Sequence, residues 1–172
     1  MLQVLHLASF TGNIGDYANN YGFQKLFRED ITEDVEFTNL EIREFTHSWG
    51  WNKRKFNKEF TEMANEYDLL VIGGGNLLAL DQFDQSDNKT GTIVDLDISL
   101  LDRIKIPILY NRCGFHYYPQ SIEAGLPEKF RPVLNYIMSD DDILFTVRND
   151  GSLQELQAFD EEDREFIEVP DG

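Results

Sequence analysis

The chain has 172 residues and carries 15 Lys and Arg against 32 Asp and Glu, which gives a net charge of −17 at neutral pH. This charge excludes proteins that bind nucleic acid or anionic lipid through a basic face, because the field of the chain repels phosphate groups. Hydrophobic residues make up 41% of the chain and 13 residues are Phe, so we expect one packed domain over residues 1–172.

Short apolar runs separated by helix-like stretches predict about six strands. The clearest run extends from Leu69 to Ile72 and is unbroken, which is typical of a strand buried on both faces, as in a parallel sheet. In chain order the predicted strands are Val4–Ser9, Val35–Glu41, Asp68–Gly73, Ile108–Asn111, Ile143–Arg148 and Phe166–Val169.

Apolar residues at helical spacing predict helices between these strands. The predicted helices contain residues 17–27, 56–67, 100–104, 130–137 and 152–159. Asp16 is placed to cap the first helix, and Pro127 is placed to begin the fourth. Ser152 and Glu155 have the spacing of a capping box at the start of the last helix. The polar segment from Asp81 to Asp97 is expected to be a mobile loop.

The alternation of strand and helix indicates an α/β fold with right-handed crossovers. We predict a Rossmann-like, doubly wound and mostly parallel sheet. The chain stops directly after the last predicted strand, at Val169–Gly172. Because no final helix would then cover the sheet, we expect a second domain to follow in a longer protein.

The cellular setting is predicted from what the chain lacks. Cys113 is the one cysteine, so the chain forms no internal disulfide and no cysteine cluster for zinc, which favours a reducing cytoplasmic setting. The first residues show no basic region ahead of a long apolar run, and no window approaches the ~18 apolar residues of a membrane span. We therefore expect no direct insertion into a membrane.

Candidate chemistry lies where the predicted strands end, because ligands of open parallel sheets gather at the carboxyl ends of the strands. Glycines at such ends allow tight turns and let backbone N–H groups approach a ligand. The four segments at these ends are Thr11–Asp16, Gly73–Asn76, Asn111–His116 and Arg148–Ser152.

The three glycines Gly73, Gly74 and Gly75 do not form a known phosphate motif. No G-K-[ST] follows them, so they are not a P-loop, and the third glycine of a dinucleotide fingerprint is missing. Asp95 lies about 20 residues on, where a ribose-binding acid belongs, so a nucleotide-dependent oxidoreductase stays open as an alternative. Asp95 and Asp97 also have D-x-D spacing, which we attribute to chance, and the sequence predicts no metal site.

Several motifs in order resemble the polysaccharide pyruvyl transferase family. They are Asn13-Ile-Gly-Asp16, Asp68-Leu-Leu-Val-Ile-Gly-Gly-Gly-Asn76, Val147-Arg-Asn-Asp-Gly-Ser-Leu153 and Val169-Pro-Asp171. The resemblance implies one lobe of a two-lobed, GT-B-like fold. It also implies transfer of a pyruvyl group from phosphoenolpyruvate onto two sugar hydroxyls of a cell-surface or exopolysaccharide, giving a ketal, with no further cofactor. The partners implied are the sugar acceptor, the donor and a second lobe of the same protein.

The needs of that reaction select candidate residues. Arginine suits the bidentate binding of carboxylate and phosphate, so Arg112 and Arg148 are candidates for holding the donor. A proton donor and a base are also needed, for which His116 and Asp16 are candidates. The remaining candidates for contacts with substrate are Asn13, Gly15, Asn19, Gly73, Gly74, Gly75, Asn76 and Ser152.

Structural explanations stand beside several of these assignments. Arg148 is equally explained by an ion pair with a carboxylate, and His116 by simple packing in an aromatic stretch. For His6 and Cys113 we expect burial rather than chemistry. A basic cluster after Trp49 and Trp51, with Lys53 as its first member, forms either a sugar-stacking rim or a solvated helix face. A non-catalytic carbohydrate- or nucleotide-binding domain is the alternative function.

Overall fold

A computed structural model describes residues 1–46, 53–80, 87–123 and 125–170 of the chain. These residues form an α/β fold around one six-stranded sheet with the strand order β2-β1-β3-β4-β5-β6. Every neighbouring pair of strands is parallel. The strands are β1 (Leu2–Ala8), β2 (Val35–Glu41), β3 (Leu69–Ile72), β4 (Ile108–Cys113), β5 (Ile143–Arg148) and β6 (Ile167–Val169). The predicted Rossmann-like sheet is therefore confirmed.

Helices connect the strands and flank the sheet. They are α1 (Ile14–Asp30), α2 (Lys58–Ala64), α3 (Ile98–Leu101), α4 (Pro119–Glu123), α5 (Leu126–Ser139) and α6 (Ser152–Phe159), with a short 3-10 helix at Ile42–Phe45. Pro127 lies in the first turn of α5, as predicted, where its missing N–H costs no hydrogen bond. The sequence pattern missed α4, which has only five residues.

The hydrophobic core lies on one face of the sheet. Alternate residues of the inner strands point to this face, and α2, α3, α5 and α6 cover it. The buried side chains on the strand side include Leu5, Leu7, Leu70, Ile72, Tyr110, Phe145 and Val147. Phe60, Leu100, Phe130, Leu134, Leu156 and Phe159 meet them from the helices.

The opposite face of the sheet is covered by α1 alone among the described helices, because of the strand order. The chain steps from β1 to β2 in one direction, and every later crossover runs in the other direction. Since crossovers are right-handed, only the first one places its helix on this face. Leu144 of β5 and Ile167 of β6 lie beyond α1 and remain half-exposed.

Three local predictions about helix ends and loops are wrong. Asn13 caps α1 by accepting from Gly15 N at 3.0 Å, whereas Asp16 lies in the first turn. Gly151 precedes α6 without a side-chain cap bond, so Ser152 and Glu155 do not form a capping box. Of the predicted mobile loop, residues 81–86 lie outside the described residues. Residues 90–94 are buried and hydrogen-bonded.

Replacement of Leu70 by Ala tests the central position of β3. Leu70 is fully buried in the core, so its truncation loses both burial and packing. We expect the free energy of unfolding to fall by about 2–5 kcal/mol, measured by urea denaturation. Leu144→Ala is the matched control, because this leucine is half-exposed and should lose less than about 1 kcal/mol. Equal losses would contradict the assignment of the two faces.

Candidate active site

The loops that follow β1, β3, β4 and β5 meet at one edge of the sheet, because all of the strands are parallel. The predicted site segments are therefore brought to the same edge. They form two groups there. One group surrounds the glycine turn after β3, and the other surrounds His116 and Arg148 after β4 and β5.

The glycine turn after β3 packs directly against the backbone of β4. A Cβ atom on Gly73 would lie 2.3 Å from the carbonyl oxygen of Asn111, and the φ of Gly73 is +116°. Only glycine fits both requirements. Gly75 also has a positive φ, of +129°. The peptide between Gly73 and Gly74 is cis.

Asn20 of α1 connects the glycine turn to the end of β1. Its Oδ1 accepts from Gly74 N at 2.8 Å, and its Nδ2 donates to the carbonyl of Ser9 at 3.0 Å. The sequence analysis selected the neighbouring Asn19 and missed Asn20. A usable signal was the pair Asn20 and Gln24, two amides four residues apart on a face that otherwise carries Phe23 and Phe27.

His6 supports the same turn from within the sheet. Its Nε2 donates to the carbonyl of Gly73, and its Nδ1 accepts from Gln24 Nε2 at 3.0 Å. Burial lowers the pKa of His6 to about 4, against the hydrogen bond to Gly73, and the nearby charge of Arg112 lowers it further. His6 is thus a neutral structural residue, and its expected burial is confirmed.

The amino end of α1 lies beside the glycine turn. Asn13 and Gly15 are exposed there, while Asp16 is half-buried. A Cβ atom on Gly75 would lie 3.7 Å from Asp16 Oδ1, so the carboxylate directly adjoins the turn. The structure therefore brings these predicted residues together, and the exposed cap and the half-buried acid remain accessible at the edge.

Arg112 lies at an irregularity in β4. The register with β5 shifts between Tyr110 and Cys113, and Arg112 has a φ of +50°, a conformation that non-glycine residues seldom adopt. Bulges of this kind redirect a side chain. Arg112 is 7% exposed, and its guanidinium donates to the carbonyls of Asn19 and Pro170, both at 3.4 Å. Arg112 therefore links α1 to the chain beyond β6.

Arg148 ends β5 and pairs with Asp150. Its Nη2 and Nε lie 2.6 and 2.7 Å from Asp150 Oδ2, and about a fifth of its side chain (19%) is exposed. The other carboxylate oxygen, Oδ1, accepts from Ser152 N at 3.2 Å and from the Ser152 hydroxyl. Ser152 is fully buried, and its hydroxyl also accepts from Phe115 N at 2.9 Å.

His116 is held between two carboxylates. Its Nδ1 lies 3.0 Å from Glu155 Oε1, and its Nε2 lies 3.7 Å from Asp150 Oδ2. The second oxygen of Glu155 accepts from Tyr117 N at 3.3 Å. His116 is thus oriented by hydrogen bonding rather than simply packed. Asp150 and Glu155 were not among the predicted site residues, although Asp150 lies inside the predicted segment.

Other candidates have structural roles. The Cys113 thiol is fully buried and its pKa is raised to about 12 by that burial, as expected. Asp97 caps α3, and Asp95 accepts from Lys89 N at 2.8 Å, so the D-x-D pair serves local structure. Within the described ranges, no three His, Cys, Asp or Glu residues are grouped to hold a metal ion.

The basic cluster near the tryptophans is largely paired with acids. Lys53 and Arg54 both contact Glu44, at 3.8 and 2.8 Å, and Lys58 lies 2.9 Å from Glu62. Trp49 and Trp51, the aromatic part of the suggested rim, lie outside the described residues. A solvated, ion-paired surface accounts for the residues that are described.

Two buried amide atoms near the glycine turn have no hydrogen-bond partner among the described residues. They are Oδ1 of Asn76 and Nδ2 of Asn111. Buried polar atoms are normally paired, and exceptions often mark functional positions. Asn76 also packs closely on the loop after β4, since a Cβ atom on Gly114 would lie 2.8 Å from its Oδ1.

Comparison with known families identifies the family of the chain. The family model described as polysaccharide pyruvyl transferase matches residues 13–171. The chain belongs to the polysaccharide pyruvyl transferase family. The match begins at the cap of α1 and includes every predicted site residue, from Asn13 to Ser152. A search of curated proteins found no match. No helix within the described part of this pyruvyl transferase family member is long and apolar enough to cross a membrane.

The low pKa of His6 predicts a pH dependence of stability. The folded-state pKa of about 4 lies below the ordinary value of 6.5, so the unfolded state binds the proton first as the pH falls. His6 has little effect on the free energy of unfolding well above pH 6.5. As the pH falls from 6.5 to about 4, protonation of His6 in the unfolded state lowers the free energy of unfolding progressively. Between about pH 7 and about pH 5 we expect a loss of about 2 kcal/mol in the free energy of unfolding.

Urea denaturation of three proteins checks this dependence. The His6→Gln variant shares every carboxylate with the wild type but lacks the buried imidazole, so its stability should change less over this pH range. Leu144→Ala removes no ionisable group from a half-exposed position, so it is the control and should keep the wild-type slope. A His6→Gln variant with an unchanged slope would disprove the neutral, buried state of His6.

Proposed function

We propose that this protein transfers the pyruvyl group of phosphoenolpyruvate to two hydroxyls of a sugar in a cell-surface or exopolysaccharide, forming a ketal. Membership of the family supports pyruvyl transfer in general. One observation carries the assignment to this edge of the sheet. Arg148 and His116 both approach Asp150, at 2.6 and 3.7 Å, so an anion-binding group lies beside a candidate base.

The proposed reaction needs an acid and a base but no redox step. Carbon C3 of phosphoenolpyruvate gains a proton and becomes a methyl group, while C2 forms bonds to two hydroxyl oxygens. Inorganic phosphate leaves with the electron pair of the C2–O bond. One of the two hydroxyl protons balances the proton added to C3, and the other is taken up by the phosphate.

Arg148 is the proposed donor-binding group. Phosphoenolpyruvate carries a carboxylate and a phosphate, which a planar guanidinium binds through paired hydrogen bonds. A guanidinium has five N–H donors, so Arg148 can hold Asp150 and an anionic substrate together. Arg112 is buried and donates to backbone carbonyls. In this proposal it adds positive charge and stabilises the conformation of the loops at the carboxyl edge of the sheet.

His116 is the proposed base for the sugar hydroxyl. Glu155 accepts from Nδ1, which leaves a lone pair on Nε2 in the neutral ring. The 3.7 Å between Nε2 and Asp150 is too long for a hydrogen bond, so Nε2 can accept the proton of a bound hydroxyl. Asp16 is the proposed second acid–base group, beside the glycine turn.

Amide groups around the glycine turn are the proposed contacts for sugar hydroxyls. Asn13 is exposed at the cap of α1, and Asn76 Oδ1 is a buried acceptor without a described partner. Asn19 lies half-buried on the same helix. The proposal also includes a second lobe that completes the cleft above this edge, and a cytoplasmic location in which phosphoenolpyruvate is supplied by metabolism.

Phosphate release is the direct test of the function. The intact protein is incubated with phosphoenolpyruvate and a panel of glycans, phosphate is assayed, and the ketal methyl group is sought in the proton NMR spectrum of the glycan. We expect both signals with at least one glycan. Sugar binding without phosphate release from any glycan, together with no binding of phosphoenolpyruvate, would instead favour a non-catalytic carbohydrate-binding domain.

Replacement of Arg148 by Ala tests the donor site. Loss of a bidentate contact with an anion should raise the Kd for phosphoenolpyruvate at least about 30-fold, or about 2 kcal/mol, by calorimetric titration. Arg148→Lys keeps the charge without the planar geometry, so its Kd for phosphoenolpyruvate should lie between those of the wild type and the Arg148→Ala variant. Arg103→Ala removes an exposed arginine near the amino ends of the strands and should leave the Kd unchanged. Equal affinity of the Arg148→Ala variant would remove Arg148 from the site.

A further inference from the structure

A groove adjoins the His116 cluster on the side away from Arg148. It lies between α4 and α6 and has a volume of about 410 Å³. Small-molecule sites usually measure about 300–1,000 Å³. The groove is lined by Tyr117, Pro119, Ile122, Gln154, Glu155 and Ala158. It is thus large enough for a small organic ligand and borders a candidate catalytic group.

The lining of the groove combines apolar surfaces with planar polar groups. Tyr117 supplies an aromatic ring that is held by contacts with Phe115 and Phe159, each with a centroid separation of 6.1 Å. Ile122 is 55% exposed despite its apolar side chain. Gln154 and Glu155 supply amide and carboxylate oxygens. A sugar ring matches such a lining, because its C–H faces pack on apolar side chains while its hydroxyls bond to polar ones.

Glu155 connects the groove to the proposed base. Its carboxylate lines the groove and at the same time holds His116 through Nδ1 and the backbone of Tyr117 through N–H. A hydroxyl bound in the groove therefore lies beside the residue that orients the imidazole. The sequence pattern assigned Glu155 to a helix cap, and only its contact with a residue on another loop reveals this position.

Charge determines which sugars fit the groove. Glu155 borders it directly, and Asp150 lies on the other side of His116. These carboxylates repel an anionic ligand, whereas the guanidinium of Arg148 attracts one. We propose that the groove between α4 and α6 binds a neutral sugar ring of the acceptor glycan, next to the ring that reacts at Nε2 of His116, and discriminates against acidic or phosphorylated sugars. The acceptor role rests on the proposed function, in which Nε2 of His116 acts on a hydroxyl of the neighbouring ring.

An NMR titration of the protein tests the groove directly. The probes are the methyl β-glycosides of galactose, glucose and mannose, each paired with the corresponding methyl glycoside of its uronic acid. At least one neutral glycoside should shift the amide signals of Tyr117, Ile122 and Ala158 in a saturable manner. Its uronic acid partner should bind at least about tenfold more weakly. Saturable shifts confined to other residues, or no saturable shifts, would overturn the proposal.

Two matched variants separate groove binding from effects on folding. Ala158→Phe fills the groove, whereas Gln157→Phe places the same ring at the neighbouring exposed position of α6, outside the groove. We expect Ala158→Phe to weaken binding of the neutral glycoside at least about tenfold and Gln157→Phe to change it less than about twofold. Both should unfold at the wild-type urea concentration. Equal affinities in the two variants would contradict the location.

Glu155→Gln tests the source of the charge selectivity. Glutamine keeps the size and one acceptor oxygen but loses the charge, so the uronic acid should bind within about twofold of the neutral glycoside. Unchanged discrimination would exclude Glu155 as its cause. Titration with phosphoenolpyruvate distinguishes the two proposals. If phosphoenolpyruvate binds in a manner that depends on Arg148 but no sugar binds in the groove, only the groove proposal is refuted. If a sugar binds in the groove but phosphoenolpyruvate does not bind, the proposed transfer is refuted.

Discussion

The candidate site depends on a buried polar contact between the first strand and the turn after the third. His6 donates to the carbonyl of Gly73 and accepts from Gln24 of α1. Both ring nitrogens are satisfied only when the ring is neutral, so the contact specifies a protonation state as well as a position. Because it joins β1, the glycine turn and α1 beneath the surface, the residues above them at the carboxyl edge have a rigid support.

The carboxyl edge places a carboxylate on one side of the His116 imidazole and an ion pair on the other. Glu155 lies at one ring nitrogen of His116. Asp150, which forms an ion pair with Arg148, lies toward the other ring nitrogen. In the proposed transfer, the guanidinium favours an anionic donor on its side, and Glu155 favours a neutral sugar ring in the groove that it borders. In the two proposals, the donor and the neutral sugar ring in the groove therefore lie on different sides of His116.

Much of the fold could be predicted because its signals are local. Each strand is a short apolar run, and β2 and β5 occur at the predicted residues, Val35–Glu41 and Ile143–Arg148. Helix caps were harder to predict, because several polar residues compete for the same N–H groups. Asn13 rather than Asp16 caps α1, and Glu155 bonds to His116, which is 39 residues away, rather than to its own helix. A spacing rule cannot include a partner from another loop.

The sequence by itself determined the α/β class, the parallel sheet and the resemblance to polysaccharide pyruvyl transferases, since these depend on periodicity and on ordered motifs. It also placed the candidate residues at strand ends. Only the tertiary structure decided which of them face each other. The bulge in β4 turns Arg112 inward, the strand order leaves α1 alone on one face of the described sheet, and Asn20 rather than Asn19 holds the glycine turn. These outcomes depend on contacts between residues far apart in the chain, where packing and burial rather than local propensity set the energy.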